Sequence, residues 1–369
     1  MIRPSALDQE RLAGVDPLDR QRTDLAAERR APRPLAWSRT SIPVAVLLLV
    51  GVALGPIGIG FLSAGALGFL DPVIPVALAV LGVLVGLGDG TAPPDRREAT
   101  AAGVGAALAF GAMVLLALGL ARMWPGVATT PLLLGLVAGT CAVTSSGASR
   151  RGGAQIIIAI AAGGLVLAAL RASSPLAPVF LTVQAALAAL VLAAAGWLLL
   201  SGPGSDTEQR IFALAALLLV GGAADYLSWS ALLAGLIAGT FWRRVDGPAR
   251  DSIERDAQRV QRPLAVLVLV MAGARAEPSV TAFGLAAAYL AVGLAAAAIG
   301  HLVTPAPSTG RLRLQPASTL PPTVFSVAFA LNALRAAGPD LTMVLTVVVL
   351  GTIGAEVLMG VFRPRQVDA

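Results

Sequence analysis

The feature that most constrains this chain is a series of apolar runs, each about as long as a membrane-spanning helix. Crossing a hydrocarbon core takes roughly 20 helical residues. Twelve runs of about that length follow one another between charged or Pro/Gly-rich punctuation, at about 43–63, 70–88, 99–123, 130–148, 154–172, 177–201, 209–226, 229–243, 262–277, 281–303, 318–337 and 341–362. Hydrophobic residues make up 56% of the chain and charged residues only 13%. The sequence therefore predicts an all-α polytopic membrane helix bundle of about 12 spans.

The placement of arginine predicts how these spans are oriented. All 27 basic residues are arginine; with the N-terminus inside, 23 fall in inside segments and 4 in outside segments. Cytoplasmic loops carry such an excess of positive charge. We therefore expect a multi-pass protein of the cell (inner) membrane with both termini cytoplasmic and the lipid bilayer as its partner. Residues 1–40, which mix charges with prolines, are predicted to be a disordered cytoplasmic tail, and 364–369 a short one.

Charge also divides the spans into two halves. Residues 41–244 form the predicted first membrane half and 262–363 the second. Between them, 245–261 is too charged to enter lipid, and Ile253, Ala257 and Val260 recur at the spacing of one helix face. This segment is predicted to be an amphipathic linker on the cytoplasmic side.

Two polar segments interrupt the apolar pattern, one in each half. The first is VAGTCAVTSSGAS, beginning at Val137, and the second is LPPTVFSVAFALNAL, beginning at Leu320. In lipid, irregular backbone is tolerated only where protein buries it or a wet cavity faces it, which is how transporters build sites from discontinuous helices. We expect two discontinuous helices to cross near the membrane midplane and form its deepest polar cavity. The candidate pathway residues are Thr140, Cys141, Thr144, Ser145, Thr323, Ser326 and Asn332.

These segments resemble the membrane domain of the monovalent cation/proton antiporters, in the branch of the Kef-like potassium exchangers. LLLGLVAGTC resembles the family's crossover helix, and AQIIIAIAAGGLVLAAL resembles the helix that carries its ion-binding carboxylate. The resemblance implies inverted core repeats at about 99–172 and 281–362, with a monovalent cation and a proton as partners. The positions of the usual acidic pair read Gly163 and Gly164 here. Because a shared carboxylate is the usual means of coupling a cation to a proton, ordinary antiport is expected to be absent or very weak.

Three charged residues within or beside spans are further candidates. Glu356 lies about six residues, roughly 9 Å, from the cytoplasmic end of its span, which favours a structural bond to a neighbouring helix. His301 is the only histidine and can titrate near neutral pH, but an interfacial histidine is more often an anchor. Arg275 can pair with Glu277, reach an outer headgroup, or turn inward, where its fixed positive charge would favour an anion. Asp71 is predicted to cap the helix that follows it.

The leading function is a secondary transporter of the monovalent cation/proton antiporter type, with coupling by a carboxylate in doubt. One alternative is a non-transporting membrane component with a regulatory or assembly role, and another is a carrier for an anion or a neutral solute. A homodimer remains open. One cysteine and one histidine make a metal site improbable, and no enzyme, cofactor or nucleic-acid signature is present.

Overall fold

The part of the protein that its structure, a computed structural model, describes consists of helices joined by irregular connections and contains no strand. Described are residues 44–88, 107–108, 110–112, 114–115, 118–119, 137, 139, 141, 152–172, 176–202, 205–245, 248–303 and 322–362. The α-helices bounded within the described residues are α1 Val44–Leu54, α2 Ala64–Leu70, α3 Val73–Leu87, α4 Gly152–Arg171, α5 Ala177–Ser201, α6 Asp206–Tyr226, α7 Ala231–Arg244, α8 Pro248–Ala274, α9 Val280–Val303, α10 Pro322–Ala337 and α11 Thr342–Phe362. A 3₁₀ turn, Pro339–Leu341, joins the last two.

Local sequence signals set several helix ends. Ser205 and Glu208 form a capping box at the start of α6, in which each side chain bonds the other residue's backbone N–H. Ser230 caps α7 by accepting from the Leu233 N–H at 3.3 Å. At the end of α10, Gly338 takes a positive φ of 85° and Pro339 follows, so the helix cannot continue.

The first predicted span is shorter in the structure than the apolar run that predicts it. α1 ends at Leu54, where the Gly55–Pro56 pair begins an irregular turn, as a helix-breaking pair should. The short helix α2 comes next, and α3 begins only at Val73. The prediction that Asp71 caps this helix was wrong. Pro72 occupies the N-cap position without a side-chain bond, because the Asp71 carboxylate pairs with arginine instead.

Glycines allow α3 and α7 to pack backbone to backbone. Each helix carries two glycines four residues apart, Gly82 and Gly86 on α3 and Gly235 and Gly239 on α7. A Cβ added to Gly82 would lie 2.9 Å from the Leu236 nitrogen, and each of the other three would also meet backbone atoms of the opposite helix. Small residues at this spacing are typical of close helix pairs in membranes. A second crossing of this kind joins α1 to α8, where Gly51 and Gly273 each face backbone atoms of the other helix.

The predicted linker at 245–261 and the predicted span after it form one helix, α8, with Pro263 inside it. Ile253 and Ala257 are fully buried and Val260 is partly buried, so the predicted apolar face packs against the bundle. The charged half of α8 therefore packs as part of the bundle and continues directly into the apolar half.

Two described helices are long and apolar enough to cross a membrane by length and composition, at Ala177–Ser201 and Thr207–Tyr226. Shorter apolar helical stretches accompany them, of 10 to 17 residues each. The helical character predicted from the sequence is confirmed in the described residues, and the number of spans stays a prediction.

Candidate functional site

The candidate site is built around α10. Four of its residues, spaced three apart, contact other parts of the protein: Ser326, Phe329, Asn332 and Arg335. Successive helical residues are turned by about 100°, so Ser326 and Arg335 lie on opposite sides of the helix. Ser326 is fully buried, and its carbonyl oxygen accepts from the Cys141 thiol, with Sγ and O 3.5 Å apart. Ser326 is about 16 Å along the helix from its C-terminal end. The two polar segments singled out in the sequence therefore touch, through Cys141.

The two glycines at the expected carboxylate positions lie on α4 and face apolar side chains. A Cβ at Gly163 would lie 2.7 Å from Cζ of Phe329, and a Cβ at Gly164 would lie 3.2 Å from Cγ of Leu233. Both distances are shorter than van der Waals contact. The phenyl ring of α10 and the leucine of α7 thus occupy the space that a side chain on α4 would need.

One turn further along α10, a pair of buried neutral polar side chains joins it to the start of α7. The Asn332 side-chain amide donates to Oγ of Ser230 at 3.0 Å, and both residues are less than 10% exposed. The same Ser230 oxygen caps α7. Because every bond here is between neutral groups, this contact holds the helices together without placing a charge in the interior.

Charged residues gather at the C-terminal end of α10. Arg335 donates to the Asp71 carbonyl oxygen and to Oδ1 of Asp225, at 2.7 Å in each case. A second arginine, Arg275, just after α8, pairs with the Asp71 carboxylate. Of the partners considered for Arg275, Glu277 is not the one observed: the guanidinium turns to Asp71, and the backbone N–H of Glu277 bonds Thr346. Arg275 is therefore already neutralised by a partner.

An open cavity of about 360 Å³ lies beside these ion pairs. It is lined by Arg275, Glu277 and Thr342 among mostly apolar residues: Pro56, Ile57, Leu67, Ala274, Leu334, Gly338 and Pro339. The polar cavity expected at the helix crossing stays a prediction, because Thr140, Thr144 and Ser145 lie outside the described residues. The cavity beside Arg275 is a separate one, at the end of α10.

The remaining sequence candidates occupy separate places. Glu356, on α11, accepts from the Ala45 N–H at the start of α1, at 2.7 Å, which satisfies a helix N-terminus with a carboxylate. His301 lies near the end of α9, and Thr323 in the first turn of α10. α10 runs unbroken from Pro322 to Ala337, so the expected discontinuity does not fall there. The candidates outside the described residues are Thr140, Thr144 and Ser145.

Sequence reasoning gave no role to three residues whose side chains fix the position of α10: Asp225, Arg335 and Ser230. One signal pointed to Arg335, because only 4 of the 27 arginines fall in predicted outside segments and it is among them. Within the described residues, no group of three His, Cys, Asp or Glu side chains could hold a metal ion. No family model and no curated protein matches the chain.

Proposed function

We propose that this chain is a multi-pass protein of the cell membrane and a secondary transporter with an antiporter-like scaffold and a neutral pathway at its helix crossing. The observation that carries the proposal is the contact between Cys141 and the Ser326 carbonyl, which brings together the polar segments of the two predicted repeats. Polar groups at membrane depth are costly and generally mark pathways of ions or substrates. In the antiporter-like arrangement, this is where the repeats cross.

The chemistry of the crossing argues against exchange at a carboxylate. Gly163 and Gly164 offer only backbone, and Phe329 and Leu233 cover them. Hydroxyl, amide and carbonyl groups can ligate a cation or a polar solute, but they do not exchange protons near pH 7. Movement of a solute through this crossing is therefore expected without movement of a proton in fixed ratio.

Proteoliposomes test the proposal directly. The purified protein is reconstituted with a pH-sensitive dye inside, and Na⁺, K⁺, Li⁺ and chloride are supplied in turn, with tracer uptake followed in parallel. We expect tracer movement of at least one ion without dissipation of a pH gradient, and a loss of that movement in Ser326→Val. Robust exchange of sodium or potassium for protons would overturn the neutral pathway.

The second candidate function, a non-transporting membrane component, is favoured by one observation. The apolar packing of Phe329 against Gly163 leaves no room for an ion at that position. No movement of any tested ion, together with a protein that co-purifies in fixed ratio, would favour this candidate over the transporter.

A further inference from the structure

Three of the four arginines assigned to the outer face converge on one end of α10. Arg335 bridges Asp225 and Asp71, Arg275 pairs with Asp71, and Arg171 donates to the Ala336 carbonyl at 3.1 Å. The fourth, Arg122, lies outside the described residues. Positive charge is scarce on the outer side of a protein with this arginine distribution. The concentration of these arginines at one helix end therefore indicates a specific role for them.

The bonds at this helix end are of two kinds. Arg171 joins the last turn of α4 to the last turn of α10, and Phe329 fills the space beside Gly163 on the same pair of helices. These contacts join α4 to α10. Arg335 instead reaches sideways, to the end of α6 and the residue before α3. It links the C-terminal end of α10 to two further helices of the bundle.

Water reaches the bonds that Arg335 makes, as it reaches the bond of Arg171. The Arg335 side chain is 19% exposed and that of Asp225 is 42% exposed. Ion pairs that water reaches contribute little to stability and break readily. The bond between Asn332 and Ser230, one turn deeper, is buried and neutral. Arg335 is thus a contact that can open without unfolding the bundle.

We propose that Arg335 is a latch: bound to Asp225 and Asp71, it holds the C-terminal end of α10 in the conformation in which the outer cavity is open. The inference rests on the proposed transport function for its purpose, although the latch itself is a property of the structure. Leu334 and Gly338, which flank Arg335 within three residues, both line the cavity. Release of the latch frees these cavity walls to move with α10.

The test measures access to the cavity rather than transport. Thr342 lines the cavity and is half-buried, so Thr342→Cys is a reporter for a membrane-impermeant maleimide added from outside. The native Cys141 is fully buried, and the chain without the reporter supplies the blank. The reporter is combined with Arg335→Gln, Asp225→Asn or both. Asp251→Asn, an exposed acid on α8, is the matched control.

We expect Arg335→Gln and Asp225→Asn each to slow labelling by about fivefold or more, a typical size for coupled conformational changes. The double variant should be no slower than Arg335→Gln alone, because both changes break one bridge. Arg335→Lys, which keeps the charge but lacks the planar fork with which the guanidinium reaches both Asp71 and Asp225, should fall between. Unchanged or faster labelling in the single variants, with normal elution on gel filtration, would overturn the latch, since mere loosening accelerates access.

The labelling experiment tests the latch and the transport experiment tests the proposed function, so either hypothesis can fail without the other. Slowed labelling in a protein that moves no solute would leave the latch standing and count against the proposed function. Normal transport by the wild-type protein with unchanged labelling in the variants would count against the latch alone.

Discussion

Gly163 and Gly164 decide the chemistry of the crossing at the scale of single residues. An acid at either position would push against Phe329 or Leu233 and would lie among apolar groups. A buried carboxylate without partners is strongly disfavoured, so the surroundings reject the residue that the antiporter resemblance leads one to expect. The glycines were readable in the sequence. The side chains that fill the space come from α7 and α10, far away in the chain, and no local sequence pattern predicts them.

Enlarging Gly163 should destabilise the protein by overpacking. Gly163→Ala is expected to lower the free energy of unfolding by about 1–3 kcal/mol, because the Phe329 ring must move. Thermal or denaturant unfolding in detergent measures it. Gly284→Ala is the control, since a Cβ there meets nothing within 4 Å. Adding Phe329→Leu to Gly163→Ala should recover part of the loss. A variant as stable as the control would contradict the packing described here.

The bond between Asn332 and Ser230 should appear as a coupling energy. Asn332→Ala is expected to cost about 1–3 kcal/mol, the range for leaving a buried polar group without its partner. In a double-mutant cycle with Ser230→Ala, the two effects should not add. Ser201→Ala, which removes an exposed hydroxyl, serves as the neutral control. Additive effects in the cycle would show that the two side chains do not interact.

At the scale of elements, the sequence predicts the helices well, but it predicts poorly how successive helical segments connect and pack. Caps and breakers such as Ser230 and Gly55 are local signals, and the helices begin and end near them. The way helical segments connect depends on residues that are far away in the sequence. The continuity of α8 across Pro263 could not be foreseen, because the charged half looks like a surface helix until the bundle that buries Ile253 is known.

The crossing of α3 and α7 should tolerate no added methyl group. In Gly235→Ala the new Cβ would lie 2.9 Å from Cα of Ala79, and backbone cannot rotate away as a side chain can. We expect a loss of about 3 kcal/mol or more, at the upper end of overpacking costs. Gly222→Ala on α6, where nothing lies within 4 Å, should be neutral or slightly stabilising. Similar unfolding midpoints for the two variants would disprove a backbone contact at this crossing.

For the whole molecule, the contacts join helix ends that the predicted orientation places on the same side of the membrane. Arg335, Asp225 and Asp71 join ends that the arginine distribution assigns to the outside. Glu356 and Ala45 join two that it assigns to the inside. Charge bias along the sequence is a global signal, which is why it anticipates this grouping without any contact being known. The particular ion pairs depend on packing that only the folded chain supplies.

The orientation itself yields the last prediction, on the two ends of one helix. Gln258 is exposed in the charged half of α8, and Ser279 is exposed just beyond its other end. Sixteen helical residues, about 24 Å, separate Gln258 from Ala274. In intact cells, Ser279→Cys should react with a membrane-impermeant maleimide from outside, and Gln258→Cys only after the membrane is opened. The wild-type chain, whose one cysteine is fully buried, gives the background. If Gln258→Cys reacts from outside and Ser279→Cys does not, the orientation is inverted, the latch faces the cytoplasm, and the repeat assignment built on the arginine distribution fails with it.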